Sequence, residues 1–220
     1  FLGVEGIHVY VLYPKGKVSK IQESQFTTLG QNITAIEVDG VFDDCQALVK
    51  QAFMDDELNK HMKLTSANSI NVARFLPQAF YYFYAYAQLK RIGKEHGYVI
   101  CVPSGNFGNI TAAIFGREMG LPVKRFIAAN NANDIFKGDW RKISSLMSGA
   151  TYSDGQIRQA MRRCYDQNQY ILDPHGACGY QALKDLLLDG EVGVFGETAH
   201  PAKFKETVES AVNAEVAMPE

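Results

Sequence analysis

The sequence predicts an α/β fold, a parallel sheet whose strands are joined by crossover helices. Three observations predict it. Short apolar runs alternate with amphipathic stretches through the first quarter of the chain, the signature of strand–helix–strand–helix connections. The β-branched run Tyr98-Val99-Ile100-Cys101-Val102 leads through Pro103 into a loop of small residues and then into a helical stretch, Ile110 to Met119. Polar loops recur after predicted strands, and the carboxyl ends of strands are where open parallel sheets bind ligands.

The elements follow in order. Ile7 to Tyr13 reads as a strand ended by the turn Pro14-Lys15-Gly16-Lys17. Ser19 with Gln22 three residues on forms a capping-box pattern for a helix that should run to about Leu29 and stop at Gly30. Ile33 to Val38 is a second strand. Asp43 or Asp44 opens a helix with Cys45, Leu48, Val49, Ala52 and Phe53 on one face. Lys63 to Asn71 is polar and loop-like. An aromatic helix follows Pro77, with Phe75, Leu76, Ala79, Phe80 and Phe83 at helical spacing as a core or interface stripe. Val123 to Ala129 is a strand ending in the polar loop Asn130 to Asp134. Ser153-Asp154-Gly155-Gln156 opens a helix through Cys164, and Leu172 to Tyr180 is a loop into another. A last short strand ends in Gly193 to Pro201, and Lys203 to Val212 is helical.

Bulk properties exclude several function classes. The 220 residues are 46% hydrophobic and 21% charged, an ordinary globular composition. A net charge of −2 and a pI near 6.2 argue against a nucleic-acid partner. No apolar run reaches the ~18 residues that cross a bilayer, and no signal-peptide pattern is present, so no membrane partner is expected. Cys45, Cys101, Cys164 and Cys178 are irregularly spaced and form no CxxC pair. They read as buried thiols rather than zinc ligands, and a cytoplasmic location is expected. The chain does not begin with Met and is expected to be part of something longer.

The loop Ser104-Gly105-Asn106-Phe107-Gly108-Asn109 carries the strongest chemical signal. A helix N-terminus presents unpaired N–H groups and the positive end of the macrodipole. Gly105 and Gly108 let a phosphate approach the backbone, and Ser104, Asn106 and Asn109 add donors. The same pattern also suits an ordinary strand–helix turn with an Asn N-cap. His175 and His200, in small-residue loops, each fit an acid–base role or a structural hydrogen bond. Thr198 sits at a strand end, either facing a ligand or capping the next helix. Arg74 suits an anion or a structural pair, and Asn68, Ser69 and Asn71 suit Asx turns. GxGxxG, Walker, HExxH and GxSxG motifs are absent from the sequence.

Taken together, Pro103 to Asn109, Leu64-Thr65-Ser66-Ala67-Asn68-Ser69-Ile70-Asn71 and Thr198-Ala199-His200-Pro201-Ala202-Lys203-Phe204 resemble threonine synthase. Asp173-Pro174-His175 and Leu12-Tyr13-Pro14 agree in order and spacing. The resemblance implies a fold type II pyridoxal-phosphate enzyme, three-layered, with open, mostly parallel sheets and helices on both faces. It implies two subdomains, residues 1–64 in a smaller α/β domain and 65–220 in a larger cofactor-binding one. The implied reaction, a lyase step of threonine biosynthesis, converts O-phospho-L-homoserine and water to L-threonine and phosphate. Ser104, Gly105, Asn106, Phe107, Gly108 and Asn109 would hold the phosphate of pyridoxal 5'-phosphate. Thr198 would face its pyridine nitrogen. Ser66, Asn68, Ser69, Asn71 and Arg74 would hold substrate. The expected assembly is a monomer or homodimer.

Two departures accompany the resemblance. The family's Schiff-base lysine would lie upstream of residue 1. Lys137 and Lys203 are wrongly placed for it, so this chain offers no catalytic lysine. The family also carries a few tens of additional residues between Asn133-Asp134-Ile135 and the Ser144–Asp154 region. Rival readings are a catalytically inert phosphate- or cofactor-binding fragment, another fold type II enzyme such as a serine or threonine dehydratase, and an interaction module built on Phe80 to Tyr86.

Overall fold

A computed structural model describes residues 1–67, 71–105, 107–131 and 145–219. Internal contacts divide the chain into two units, Phe1–Thr65 and Ser66–Glu220.

In the first unit, β1 (Val9–Pro14) and β2 (Ile33–Val38) pair in parallel, from Val9 opposite Ile33 to Pro14 opposite Val38. The connecting helix α1 (Lys20–Thr27) starts at the Ser19–Gln22 capping box but ends earlier than Gly30. Thr28 closes it, and Gly30 serves the following turn at φ 63°. Helix α2 (Phe42–Met54) begins where the Asp44 carboxylate accepts the Val41 N–H at 2.8 Å. A short helix α3 (Asp56–His61) follows, capped by Asp55. Of the stripe expected on α2, only Cys45 is buried.

The described residues of the second unit form four parallel strands, β3 (Tyr98–Pro103), β4 (Val123–Asn131), β5 (Met147–Tyr152) and β6 (Gly193–Phe195), in the order β5-β4-β3-β6. The chain passes from β3 outward to β4 and β5, then returns to the other side of β3 as β6. Strand order therefore reverses beside β3, which is where a crevice opens at the carboxyl ends of such sheets.

Helices lie on both faces because side chains alternate along each strand. Tyr98, Ile100 and Val102 of β3 and Phe126 and Ala128 of β4 pack with α4 (Val72–Arg91) and α5 (Gly108–Glu118). Val99, Cys101, Ile127 and Ala129 pack with α6 (Asp154–Asn168), α7 (Pro174–Leu186) and α8 (Lys205–Val212). All four cysteines are buried and free.

Helix α4 differs from the sequence expectation. It starts at Val72 and runs through Pro77, and its buried residues are Ala79, Tyr82 and Leu89, while Leu76 and Phe80 are exposed. The reason is Tyr82. It packs beside Gly116 of α5 and bonds through its hydroxyl to the Asn109 side chain, which turns that face inward. Tyr82 is thus core, while Tyr84 is exposed. Pro77 has no N–H to give the Ala73 carbonyl, a loss confined to the start of the helix.

Candidate functional site

The loop after β3 is built by the strand before it and the helix behind it. Ser104 extends the β3–β4 ladder, its N–H donating to the Ala129 carbonyl at 2.8 Å, and its hydroxyl donates to the Val102 carbonyl at 2.9 Å. Gly105 is exposed, and a Cβ built there would meet nothing within 4 Å, so the backbone lies open to an approaching group. Phe107, not an Asn, is the N-cap of α5. It takes the left-handed conformation, φ 56° and ψ 0°, and its own side chain makes no capping hydrogen bond. Asn109, the alternative cap in the sequence, instead turns its side chain to the Tyr82 hydroxyl. The positive end of α5 points toward this loop, the arrangement that suits an anion. Asn106 lies outside the described residues.

The segment after β6 borders this loop. Gly196 donates its N–H to the Cys101 carbonyl at 3.0 Å, carrying the β3–β6 pairing one residue further. A Cβ on Gly196 would come 3.8 Å from Thr198 Cγ2 and 3.9 Å from Asn109 Nδ2, so Thr198 and Asn109 of α5 both border that glycine. Thr198 does not cap the following helical turn. His200 does, its Nδ1 accepting the Ala202 N–H at 3.1 Å. That is the structural alternative for His200.

On the α6–α7 side of Ser104 and Gly105 lies a cleft of about 530 Å³. It is lined by Ser104, Gly105 and Asn131 from the strand ends, Arg158 from α6, and His175 and Cys178 from α7, among others. Burial pushes the Cys178 thiol up to about 11, so it stays protonated at neutral pH. His175 is 54% exposed and its ring leans on Phe204 at 5.1 Å.

Behind His175 sits a pair of carboxyls. Asp173 is fully buried and caps α7, accepting the N–H of His175 at 2.8 Å and of Gly176 at 3.2 Å. Its Oδ1 is also 3.0 Å from His175 Nδ1. Glu197 reaches in from the segment after β6 and accepts the Asp173 N–H at 3.4 Å. Much of Glu197 is exposed, but its carboxyl end is tucked against Gly176: a Cβ there would stand 2.2 Å from Glu197 Oε1. Burial opposes the Asp173 charge, but the hydrogen bonds from His175 and Glu197 outweigh it and hold the carboxyl below its ordinary range. Burial, then the hydrogen bond to Asp173 and its charge, push Glu197 up to about 9. Two carboxyls in contact share one proton, and here Glu197 keeps it.

The loop expected to hold substrate is only partly described. Asn68 and Ser69 lie outside the described residues. Asn71 caps α4, accepting the Ala73 N–H at 3.0 Å, and its amide donates to the Ser66 carbonyl at 2.8 Å. The Arg74 guanidinium donates to the Ala67 carbonyl. Ser66, Asn71 and Arg74 are not among the described residues lining the cleft. The sequence shows His175, like His200, as a histidine in a small-residue loop and gives no sign that Glu197 reaches the Asp173 beside it. The Asp-Pro-His pattern, an N-cap followed by proline at the first helical position, was the available signal for the first half of that cluster.

No family model matches the chain. Known threonine synthases match it throughout. The enzyme from Serratia marcescens is 44% identical over 255 aligned positions, covering 100% of this chain and 59% of its own length, and that from Escherichia coli K12 is 43% identical with the same coverage. The chain thus spans about three-fifths of the length of the curated relatives it matches. Within that span the relatives carry at least 35 positions that the 220 residues here lack (255 − 220). The crystal structure of the Escherichia coli threonine synthase superimposes with a TM-score of 0.89 at 40% identity over 99% of this chain and 59% of that one. A pyridoxal-phosphate-bound threonine synthase from Brucella melitensis gives 0.86 at 28% identity over 99% and 60%.

Proposed function

We propose that this chain, which belongs with the threonine synthases over the stretch it spans, is the phosphate-anchoring part of a pyridoxal-phosphate enzyme that makes L-threonine and phosphate from O-phospho-L-homoserine and water. The observation that carries the reading is the exposed, unobstructed backbone of Gly105 ahead of the left-handed turn into α5, with Thr198 and Asn109 both bordering Gly196.

The residues present fit the cofactor. The open backbone at Gly105 and the positive end of α5 suit a phosphate dianion, with Gly105 to Asn109 as its cradle. Thr198, at the edge of that cradle, would meet the pyridine nitrogen as a neutral hydroxyl, which does not force protonation there as an aspartate would. When bound, pyridoxal phosphate supplies an electron-accepting ring that stabilises negative charge at the substrate carbons. This chain's own part is to anchor and orient. Its loop Ser66 to Asn71, with Arg74, is the proposed grip on substrate anions. Arg74 commits one of the five guanidinium donors to Ala67, and a guanidinium held this way is preorganised for a phosphate or carboxylate. The Schiff-base lysine is proposed to come from sequence outside this chain. The proposed assembly is a monomer or homodimer, and the proposed location is cytoplasmic.

Titration of the 220-residue chain with pyridoxal phosphate and with pyridoxal, followed by absorbance, tests the anchor. The phosphate ester should bind at least tenfold more tightly, and Gly105→Asp should erase that difference with the circular dichroism unchanged. Equal binding of the two would overturn the cradle. Product analysis on a protein that joins this chain to the lysine-bearing segment tests the reaction. Threonine from phosphohomoserine supports it, and keto-acid release from serine or threonine makes the protein a dehydratase instead.

A further inference from the structure

The geometry points to His175 as the acid–base group of the cleft, held with its Nδ1–H on Asp173, whose own N–H donates to the Glu197 carboxyl at 3.4 Å behind it. An ionised aspartate only accepts hydrogen bonds, so the His175 nitrogen 3.0 Å away must be the protonated one. That leaves Nε2 as the nitrogen that exchanges protons with a ligand. His175 lines the same cleft as Ser104 and Gly105, the first residues of the phosphate cradle. The other titratable or charged groups lining it are Asp154 and Arg158 of α6 and Cys178 of α7, with Glu197 behind. Arg158, exposed and 3.5 Å from Ser210 Oγ, brings positive charge for an anion without competing for the proton.

The assignment rests on the threonine synthase reading for its substrate, a phosphate ester. The step balances with phosphohomoserine, water and the base proposed to lie outside this chain. As the Cγ–oxygen bond to phosphate breaks, its bonding pair leaves with the oxygen, which takes the Nε2–H proton of imidazolium His175, while the pair of a Cβ–H bond closes the Cβ–Cγ double bond and its proton goes to that outside base. The outside base returns a proton to Cγ, and neutral His175, still carrying Nδ1–H, takes a proton from the water whose hydroxyl adds to Cβ. Asp173 and Glu197 are positioning residues: they fix which nitrogen does the exchange. Gly176 makes the arrangement possible, because any side chain there would occupy the place of the Glu197 carboxyl.

Nuclear magnetic resonance on the 220-residue chain tests the relay without any need for activity. The Glu197 carboxyl carbon should show the protonated shift at pH 7, and neutral His175 should show nitrogen shifts of the Nδ1–H tautomer. Asp173→Ser, which keeps an N-cap but is too short to hold the ring, should release the tautomer, while Glu197→Gln, which still donates to Asp173, should keep it. An ionised Glu197 at pH 7, or an Nε2–H tautomer in the unaltered chain, would overturn the relay whether or not the variants fold. In the longer, lysine-containing protein, His175→Gln should lower kcat for phosphohomoserine by about 100-fold or more with KM within about threefold. Glu197→Ala should lower kcat by about tenfold, with Glu197→Gln recovering most of it. A kcat for His175→Gln within threefold of the parent would reject the acid–base role. If the parent makes no threonine at all, the threonine synthase reading fails, and the resonance result still decides the relay.

Discussion

Two glutamates flank β6, and they are opposite in every respect that matters. Glu191 lies just before the strand, its side chain 4% exposed, with Arg125 at 2.6 Å and Lys124 at 2.9 Å. Hydrogen bonds from Arg125, then Lys124 and the Leu188 N–H, hold its carboxyl down at about 2. Arg125 also donates to the Leu186 carbonyl at 2.6 Å, so one ion cluster ties the end of α7 to the start of β4. Glu197 lies just after the strand and faces another carboxyl instead of a cation. The amino end of the sheet is locked by matched charges, and its carboxyl end carries a mismatch kept neutral by a proton. Stability is invested at one end of the strands and reactivity at the other, as expected where ligands bind at carboxyl ends.

The comparison can be broken most severely at its stable end. Glu191→Ala should cost about 2 kcal/mol in chemical denaturation at pH 7, because it strands a half-buried guanidinium. Its contribution has a defined window: a carboxyl lowered from 4.5 to about 2 stabilises the fold above pH 4.5 and loses that effect as pH falls toward 2. The variant should therefore lack the part of the parent's acid destabilisation that falls between those values. Equal acid profiles would contradict the lock.

A smaller effect is expected from Gly176→Ala. The added Cβ would meet Glu197 Oε1 at 2.2 Å, and since that atom ends a flexible side chain, the carboxyl should swing out at a cost of about 1 kcal/mol. Glu197 should then titrate near an ordinary glutamate in a carboxyl-carbon shift series, and a midpoint still far above it would show that Asp173 is not its partner.

The most conservative substitution sharpens the contrast through its sign. Glu197 is raised from 4.5 to about 9, so folding is most favoured below pH 4.5, where the group is protonated in both states, and is progressively disfavoured as pH rises toward 9. Glu197→Gln removes that drag. Its stability should match the parent near pH 4 and exceed it increasingly toward pH 9, the mirror image of the Glu191 variant. A difference that stays flat across this range would defeat the shared-proton account.

Local signals in the sequence carried most of the fold. Ser19 with Gln22 and Ser153 with Gln156 form the capping boxes their spacing implied, because a cap depends only on residues within one turn. The β-branched run from Tyr98 and its small-residue loop gave β3 and the turn into α5 for the same reason. Long-range partners were not legible. The face that α4 buries depends on Gly116 and Asn109, far along the chain from Tyr82. The left-handed cap at Phe107 has no residue-level signature, since phenylalanine is not a residue that favours that region. Glu197 finds Asp173 across 24 residues, and a single glutamate after a strand says nothing of the carboxyl it will meet.

Glu197 immediately precedes Thr198, which borders Gly196 together with Asn109. The carboxyl that backs His175 and the hydroxyl proposed to face the pyridine ring thus hang on one peptide bond. A ligand whose binding shifts this backbone, and with it the Glu197–Asp173 contact, is by reciprocity bound more or less tightly as that contact gains or loses its proton. In the proposed enzyme the grip on the cofactor and the supply of the proton would then be two readings of a single thermodynamic linkage.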